Sequence, residues 1–174
     1  MRNSKPASLI AAASVLILFL GFGAAAARGI SDKKFVEKAA TGGMMEITLG
    51  EMASKQGLAN DVKEFGRKMV NDHSMAQQRL TALAEQDNIK LPADMDRKEG
   101  KMVNHLSMLT GHDFDRAYMK HMVQDHQKDV ELFRKMAKDG RNPELRNFAQ
   151  EQLPILQDHL RIAEDINRTV QAKG

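Results

Sequence analysis

The sequence predicts an all-α protein: an antiparallel four-helix bundle, with a long crossover carrying a short helix between its second and third long helices. Three observations predict it. Apolar residues recur with helical spacing through four long segments. Gly, Asn and Pro punctuate those segments where helices stop and start. Three related stretches, Met69-Val-Asn-Asp-His73, Met122-Val-Gln-Asp-His126 and Ile155-Leu-Gln-Asp-His159, each set a histidine four residues after a Met or Ile, on that residue's face of its helix.

The chain of 174 residues opens with Arg2 and Lys5, then an apolar run from Leu9 to Phe22, then Gly23-Ala-Ala-Ala-Ala27. A basic start, a short apolar core and an Ala-x-Ala end describe a secretory signal peptide over residues 1–27. The apolar run is shorter than the roughly 20 residues that span a bilayer comfortably. Residues 28–174 are then one domain, periplasmic or secreted, with no membrane span once the signal is cleaved. Without cleavage the segment would anchor the chain to the membrane. No Cys follows the apolar run, which excludes a lipoprotein anchor.

Composition narrows the chemistry. The formal charge of +3 falls to +1 without Arg2 and Lys5, and no basic stripe appears, so nucleic acid is not an expected partner. The absence of Cys removes disulfides and thiolate ligands, so any metal is held by nitrogen, oxygen or thioether sulfur. There is no Ser or Cys nucleophile arrangement and no glycine-rich phosphate loop, and no catalytic role is assigned.

The first helix is expected over residues 32–56, capped by Asp32, with Phe35, Val36, Ala39, Met45, Leu49 and Met52 on its apolar face. Glu46 falls inside that stripe. Gly42, Gly43 and Gly50 each cost about 1 kcal/mol against Ala in a helix, and their retention suits a close neighbour. Gly57 ends this helix, and Asn60 or Asp61 begins the second, which runs to about residue 87. Val62, Phe65, Met69, Ala76, Leu80 and Leu83 line it, and His73 fills the gap in the series. The next connection is about 25 residues long, where antiparallel neighbours need only ~2–8. Such a length suits a crossover joining parallel helices, here with a short helix within residues 94–110.

Asp113 is the expected cap of the third long helix, ending near Asp139, with His126 between Met122 and Val130. Asn142-Pro143 is a cap followed by proline at the first helical position, opening the fourth. That helix carries Leu145, Phe148, Ile155, Ile162 and Ile166 inside, His159 in line, and Pro154, which should bend it. The pattern of helix end, Gly, acidic cap, Phe and Asp-His occurs in both halves, suggesting a duplicated helical hairpin.

Glu46, His73, His126 and His159 each lie near the middle of a separate helix, a position that comes to one height in an antiparallel bundle. A buried carboxylate with three imidazoles is costly unless partnered. A metal ion supplies the partner and keeps each imidazole neutral. Three His and one carboxylate suit Zn, Fe, Cu or Mn. The alternative is a metal-free structural or interaction bundle in which the same residues form a hydrogen-bonded polar layer. Asp72, Asp125 and Asp158 each sit about 100° around the helix from the following histidine. None can brace its own His, though each could brace one on a neighbouring helix; solvation is the favoured expectation. His121 is five residues from His126, poor spacing for a shared face, and His105 and His112 fall in the crossover. The lack of a Glu-x-x-His pair argues against a di-iron centre.

Phe35-Val-x-x-Ala-Ala-x-Gly-Gly-Met-x-Glu46, Gly50, Phe65-x-x-x-Met-Val-x-Asp-His73, Phe114-Asp-x-x-Tyr-Met, Asp125-His126 and Leu153-Pro-x-Leu-x-x-His159 resemble the domain of unknown function 4142 family. That resemblance covers nearly all of residues 28–174. It implies a ferritin-like bundle exported from bacteria and brings no established reaction. The second half, from Tyr118-Met-x-x-Met-Val-x-Asp-His126 through Asn142-Pro-Glu-Leu, is also similar to the domain of unknown function 305 family, which implies copper handling. This chain has Asp125-His126 where that family has a His pair. The combined expectation is an envelope protein that binds one transition-metal ion through Glu46, His73, His126 and His159, in metal handling or stress protection.

Overall fold

A computed structural model describes residues 30–172; the expected signal peptide lies outside the described residues. The elements are α1 (Asp32–Gln56), α2 (Asn60–Gln86), α3 (Arg97–Ser107), α4 (Gly111–Asp139) and α5 (Pro143–Ala172), with no strand among the described residues. The all-α expectation and all four long helices stand. No helix among the described residues is long and apolar enough to cross a membrane.

Two hairpins, α1–α2 and α4–α5, carry the closest packing, and they meet through α2 against α5 and α1 against α4. The core separates into two apolar bodies. One combines the C-terminal half of α1, the N-terminal halves of α2 and α4 and the C-terminal half of α5, centred on Leu49, Phe65, Met69, Tyr118 and Met122. The other combines the opposite halves, centred on Phe35, Leu80, Phe133, Leu145 and Phe148. Thus α2 and α4 point the same way, as do α1 and α5. The stretch from Asp87 to Thr110 is the crossover that this requires, and α3 within it packs on α1 and α4.

Helix starts differ in detail from expectation. Ser31, not Asp32, caps α1: its backbone is extended and its hydroxyl accepts from the Lys34 N–H at 3.3 Å. Asp32 instead occupies the first turn, where its charge favours the helix N-terminus. Thr110, not Asp113, is the N-cap of α4, because Gly111 takes φ 60 and turns the chain at that point. The α2 cap, Ala59, has no side chain to offer. Asp115 of α4, 1 % exposed, reaches across and accepts from the Leu58 and Ala59 N–H groups at 3.0 and 2.8 Å. Asn142 caps α5 as expected, accepting from the Glu144 and Leu145 N–H groups. Helix α5 continues through Pro154.

On α5 the register departs from the expected stripe. Ile155 is 38 % exposed, whereas Leu156, His159 and Ala163 are buried. The inward face therefore runs i−3, i, i+4 about His159 and leaves the residue at i−4 outside.

The glycine expectation holds at Gly50 and acquires a partner in Gly66. A β-carbon on Gly50 would lie 2.7 Å from the Gly66 carbonyl oxygen, and one on Gly66 would lie 2.7 Å from the Gly50 oxygen. The two backbones touch, and each glycine is there because the other helix is. By contrast Gly100 in α3 has nothing within 4 Å. Gly50→Ala is expected to destabilise the protein by about 1–3 kcal/mol through overpacking. Gly100→Ala should be neutral or stabilising by up to about 1 kcal/mol. Urea denaturation of the two variants checks both signs; equal and small effects would contradict the backbone contact.

Candidate metal centre

Between the two apolar bodies lies one polar layer, to which each long helix contributes a side chain. Of the four residues expected from the sequence, the three histidines form one mutually close set, while Glu46 contacts His73 and His126 and clusters on its other side with Asp125 and Asp129. Glu46 of α1 is 2 % exposed, His73 of α2 7 %, His126 of α4 0 % and His159 of α5 1 %. The ring centroids of the three histidines are 5.3–5.8 Å apart. One ring nitrogen from each lies within 4.8 Å of one from each of the others.

Hydrogen bonds set the tautomers. His126 Nδ1 is 3.0 Å from the Met122 carbonyl oxygen, which only accepts, so Nδ1 carries the proton and Nε2 presents a lone pair. His159 Nε2 is 2.8 Å from Asp72 Oδ2, so Nε2 donates and Nδ1 presents a lone pair. These two lone-pair nitrogens face one another at 3.3 Å. His73 Nδ1 lies 3.0 Å from Glu46 Oε2 and donates to it when the carboxylate is ionised; its Nε2 is buried without a partner in the protein. His126 and His159 thus each have one nitrogen held by an oxygen acceptor and the other free toward the centre, and His73 matches them when Glu46 is ionised. This is how metal-binding imidazoles are oriented.

Asp72 therefore does what the sequence could only allow. It sits on α2, beside His73 in sequence, yet orients His159 on α5. Burial opposes its ionisation, but hydrogen bonds from Lys68, His159 and Asn71 outweigh that and hold its pKa at about 2. Asp158, paired with Arg161 at 2.8 Å, is solvent-facing as expected. Asp125 is not solvated: it is largely covered and clusters with Glu46 and Asp129. Sequence reasoning missed Asp129 altogether and dismissed His121, which is 8 % exposed. The missed signal is a four-residue ladder. His121, Asp125 and Asp129 follow one another at i, i+4 and i+8 along one face of α4, next to the Met122–His126–Val130 line.

The electrostatics of the layer favour an added cation. Burial, then the neighbouring His73 and His159, push His126 well below the usual imidazole range. Burial, then His159, lowers His73 to about 3. Burial, followed by Asp129 and Asp125, raises Glu46 well above the usual carboxylate range. The histidines are neutral, the carboxyl groups repel one another, and no lysine or arginine bonds to Glu46. A cavity of about 30 Å³ borders Glu46, His73, His159 and Asp129. It admits water-sized species, each needing roughly 10–15 Å³.

The comparisons with known proteins agree with this architecture. A model of the domain of unknown function 4142 matches residues 21–166. The chain belongs to the domain of unknown function 4142 family. No curated protein matches it. Among solved structures it is similar to CopM in its Cu(II)-bound form, with a TM-score of 0.70 and 18 % identity, over 82 % of this chain and 99 % of that one. It is also similar to a domain of unknown function 305 fragment from Deinococcus radiodurans, with a TM-score of 0.69 and 14 % identity, over 79 % of this chain and 95 % of that one. At these identities the likeness is one of fold.

A pH dependence follows for the metal-free protein. In the unfolded chain His73 protonates below about 6.5, while in the fold it stays neutral down to about 3. Its contribution to stability is complete above pH 6.5 and is lost as the pH falls toward 3, by at most about 1.4 kcal/mol per pH unit. His73→Gln should remove that slope, so the stability difference between wild type and variant should shrink or reverse between pH 6.5 and 4. Urea titrations at fixed pH values measure it; a difference that does not vary with pH would contradict the buried neutral imidazole.

Proposed function

We propose that this family member is an exported four-helix bundle that binds one transition-metal ion through Glu46, His73, His126 and His159, in metal handling or stress protection in the cell envelope. Residues 1–27 would be the signal peptide and residues 28–174 the mature domain. One observation carries the reading: the lone-pair nitrogens of His126 and His159 face each other at 3.3 Å in a buried layer. Two lone pairs at that separation repel unless a positive centre lies between or beside them. A proton would do, but burial and the neighbouring histidines disfavour an imidazolium there. A metal ion serves without that cost.

The donor set fits such an ion. Three neutral imidazoles with their outer nitrogens held, plus a carboxylate 3.4 Å from His126 Nε2, suit Zn, Cu, Fe or Mn. Copper is favoured by one support from outside the site: the similar bundle CopM is described in a Cu(II)-bound form. The small cavity leaves room for a water beside the ion, and the proposed role is binding.

Elemental analysis of the untagged mature protein should find about one transition-metal ion per chain, absent from His73→Ala/His126→Ala. Asp72→Asn, which leaves all four proposed ligands in place, should weaken binding about 10–100-fold by loosening His159. Isothermal titration with Cu(II) and Zn(II) reads the change. No metal in the wild type, with melting unchanged on adding either ion, would sink the proposal in favour of the metal-free polar layer. N-terminal sequencing of the exported protein tests cleavage near Ala27.

A further inference from the structure

Beneath α3 the molecule has a second polar cavity, which meets the one beside the histidines at Gly42 and Asp129. Its volume is about 230 Å³, and its wall includes Thr41, Met45, Glu99, His121, Asp125 and Asp129. Carboxylate oxygens of Glu46, Asp125 and Asp129 lie within 4.8 Å of one another. An acidic cluster alone means little, but a separate observation points into the same space. His121 is more than nine-tenths buried, and its Nε2 has no partner in the protein. It stands one helical turn from Asp125, which stands one turn from Asp129, so the three side chains descend α4 on a single face.

The cavity wall also carries Lys38, Lys98 and Lys128, but among the described residues Lys128 is the one lysine that forms an ion pair with the cluster. Lys128 reaches Asp125 only at 3.9 Å, and its side chain is 62 % exposed. Among the described residues no ion pair involves Asp129, and, of basic groups, Glu46 meets only the neutral imidazoles of His73 and His126. Two further acids line the wall: Asp96 caps α3, and Glu99 accepts from the Thr41 hydroxyl and the Asp96 N–H, which fixes α3 over the cavity without adding a cation.

We propose that the carboxylates of Asp125, Asp129 and Glu46 form a second, oxygen-rich divalent-cation site, with Asp129 bordering both cavities and His121 on the wall of the larger one, where it holds the ion's bound water. Two or three carboxylates with room for several waters is a donor set for a hard or borderline ion such as Mn²⁺, distinct from the nitrogen-rich set across Glu46. The cavity is several times larger than the one beside the histidines, as an ion that keeps its waters requires. The two sites would make the layer dinuclear, with a soft-leaning and a hard-leaning half.

The probe is Mn²⁺, followed by electron paramagnetic resonance and titration calorimetry on the mature wild type, on Asp125→Asn/Asp129→Asn and on His73→Ala/His159→Ala. With Cu(II) first loaded at the histidines, the wild type should bind one further ion, Mn²⁺. The double Asn variant should lose Mn²⁺ affinity at least tenfold while keeping Cu(II) binding at the histidines, and His121→Ala should weaken Mn²⁺ severalfold. The His73→Ala/His159→Ala variant should keep Mn²⁺ and lose Cu(II), which separates failure of the histidine site from failure of this one. Removing like charges leaves the metal-free double Asn variant at least as stable as wild type, so loss of binding is not loss of fold. Undiminished Mn²⁺ affinity in that variant, or no Mn²⁺ binding by the wild type at millimolar ion, would overturn the proposal.

Discussion

The interior of this bundle is governed by a polar layer at mid-height that the protein alone leaves incompletely satisfied. Three imidazoles and a carboxylate meet where every apolar residue above and below would be easier to bury. Each polar group spends one hydrogen bond on the scaffold: His126 on the carbonyl of its own helix, His159 on Asp72 from α2, His73 on Glu46 from α1. What remains free all faces inward. The ion proposed above would complete the layer by taking those inward-facing atoms as ligands.

The architecture serves that layer. Two apolar bodies clamp it from either end, one around Phe65 and Tyr118, the other around Phe35 and Phe148. The Gly50–Gly66 contact draws α1 and α2 together until their backbones touch, one turn from Glu46 and two from His73, which fixes the first hairpin's half of the site. The crossover makes α2 and α4 parallel, and α3 roofs the outer cavity between α1 and α4. Asp115 ties the start of α2 to α4 through two backbone N–H groups, joining the hairpins at the end remote from the second core body.

Helices and the principal convergence were legible in the sequence because both are periodic. Helical spacing located four segments within a residue or two, and a histidine at a core position of three of them, with Glu46 in the fourth, is a pattern that a stripe reading detects. What escaped was lateral. That Asp72 orients a histidine on another helix depends on the rotation of α5, the same rotation that exposes Ile155 and buries Leu156. Three-residue and four-residue spacings both suit one helical face, and only packing chose between them. Gly66 reads as an ordinary helix-weakening residue until the opposing Gly50 is placed beside it. The His121–Asp125–Asp129 ladder was visible as spacing, but it runs one position off the apolar line and reads as a solvated edge until α3 covers it.

The central claim is that three imidazoles on three helices bind one ion. X-ray absorption at the copper edge of the Cu(II)-loaded mature protein, at one ion per chain, tests it most directly. The account predicts a shell of nitrogen and oxygen at roughly 2.0 Å, outer-shell scattering from three imidazoles, and no sulfur at ~2.3 Å. A spectrum with at most one imidazole, or with a sulfur shell, would place the ion elsewhere and contradict it.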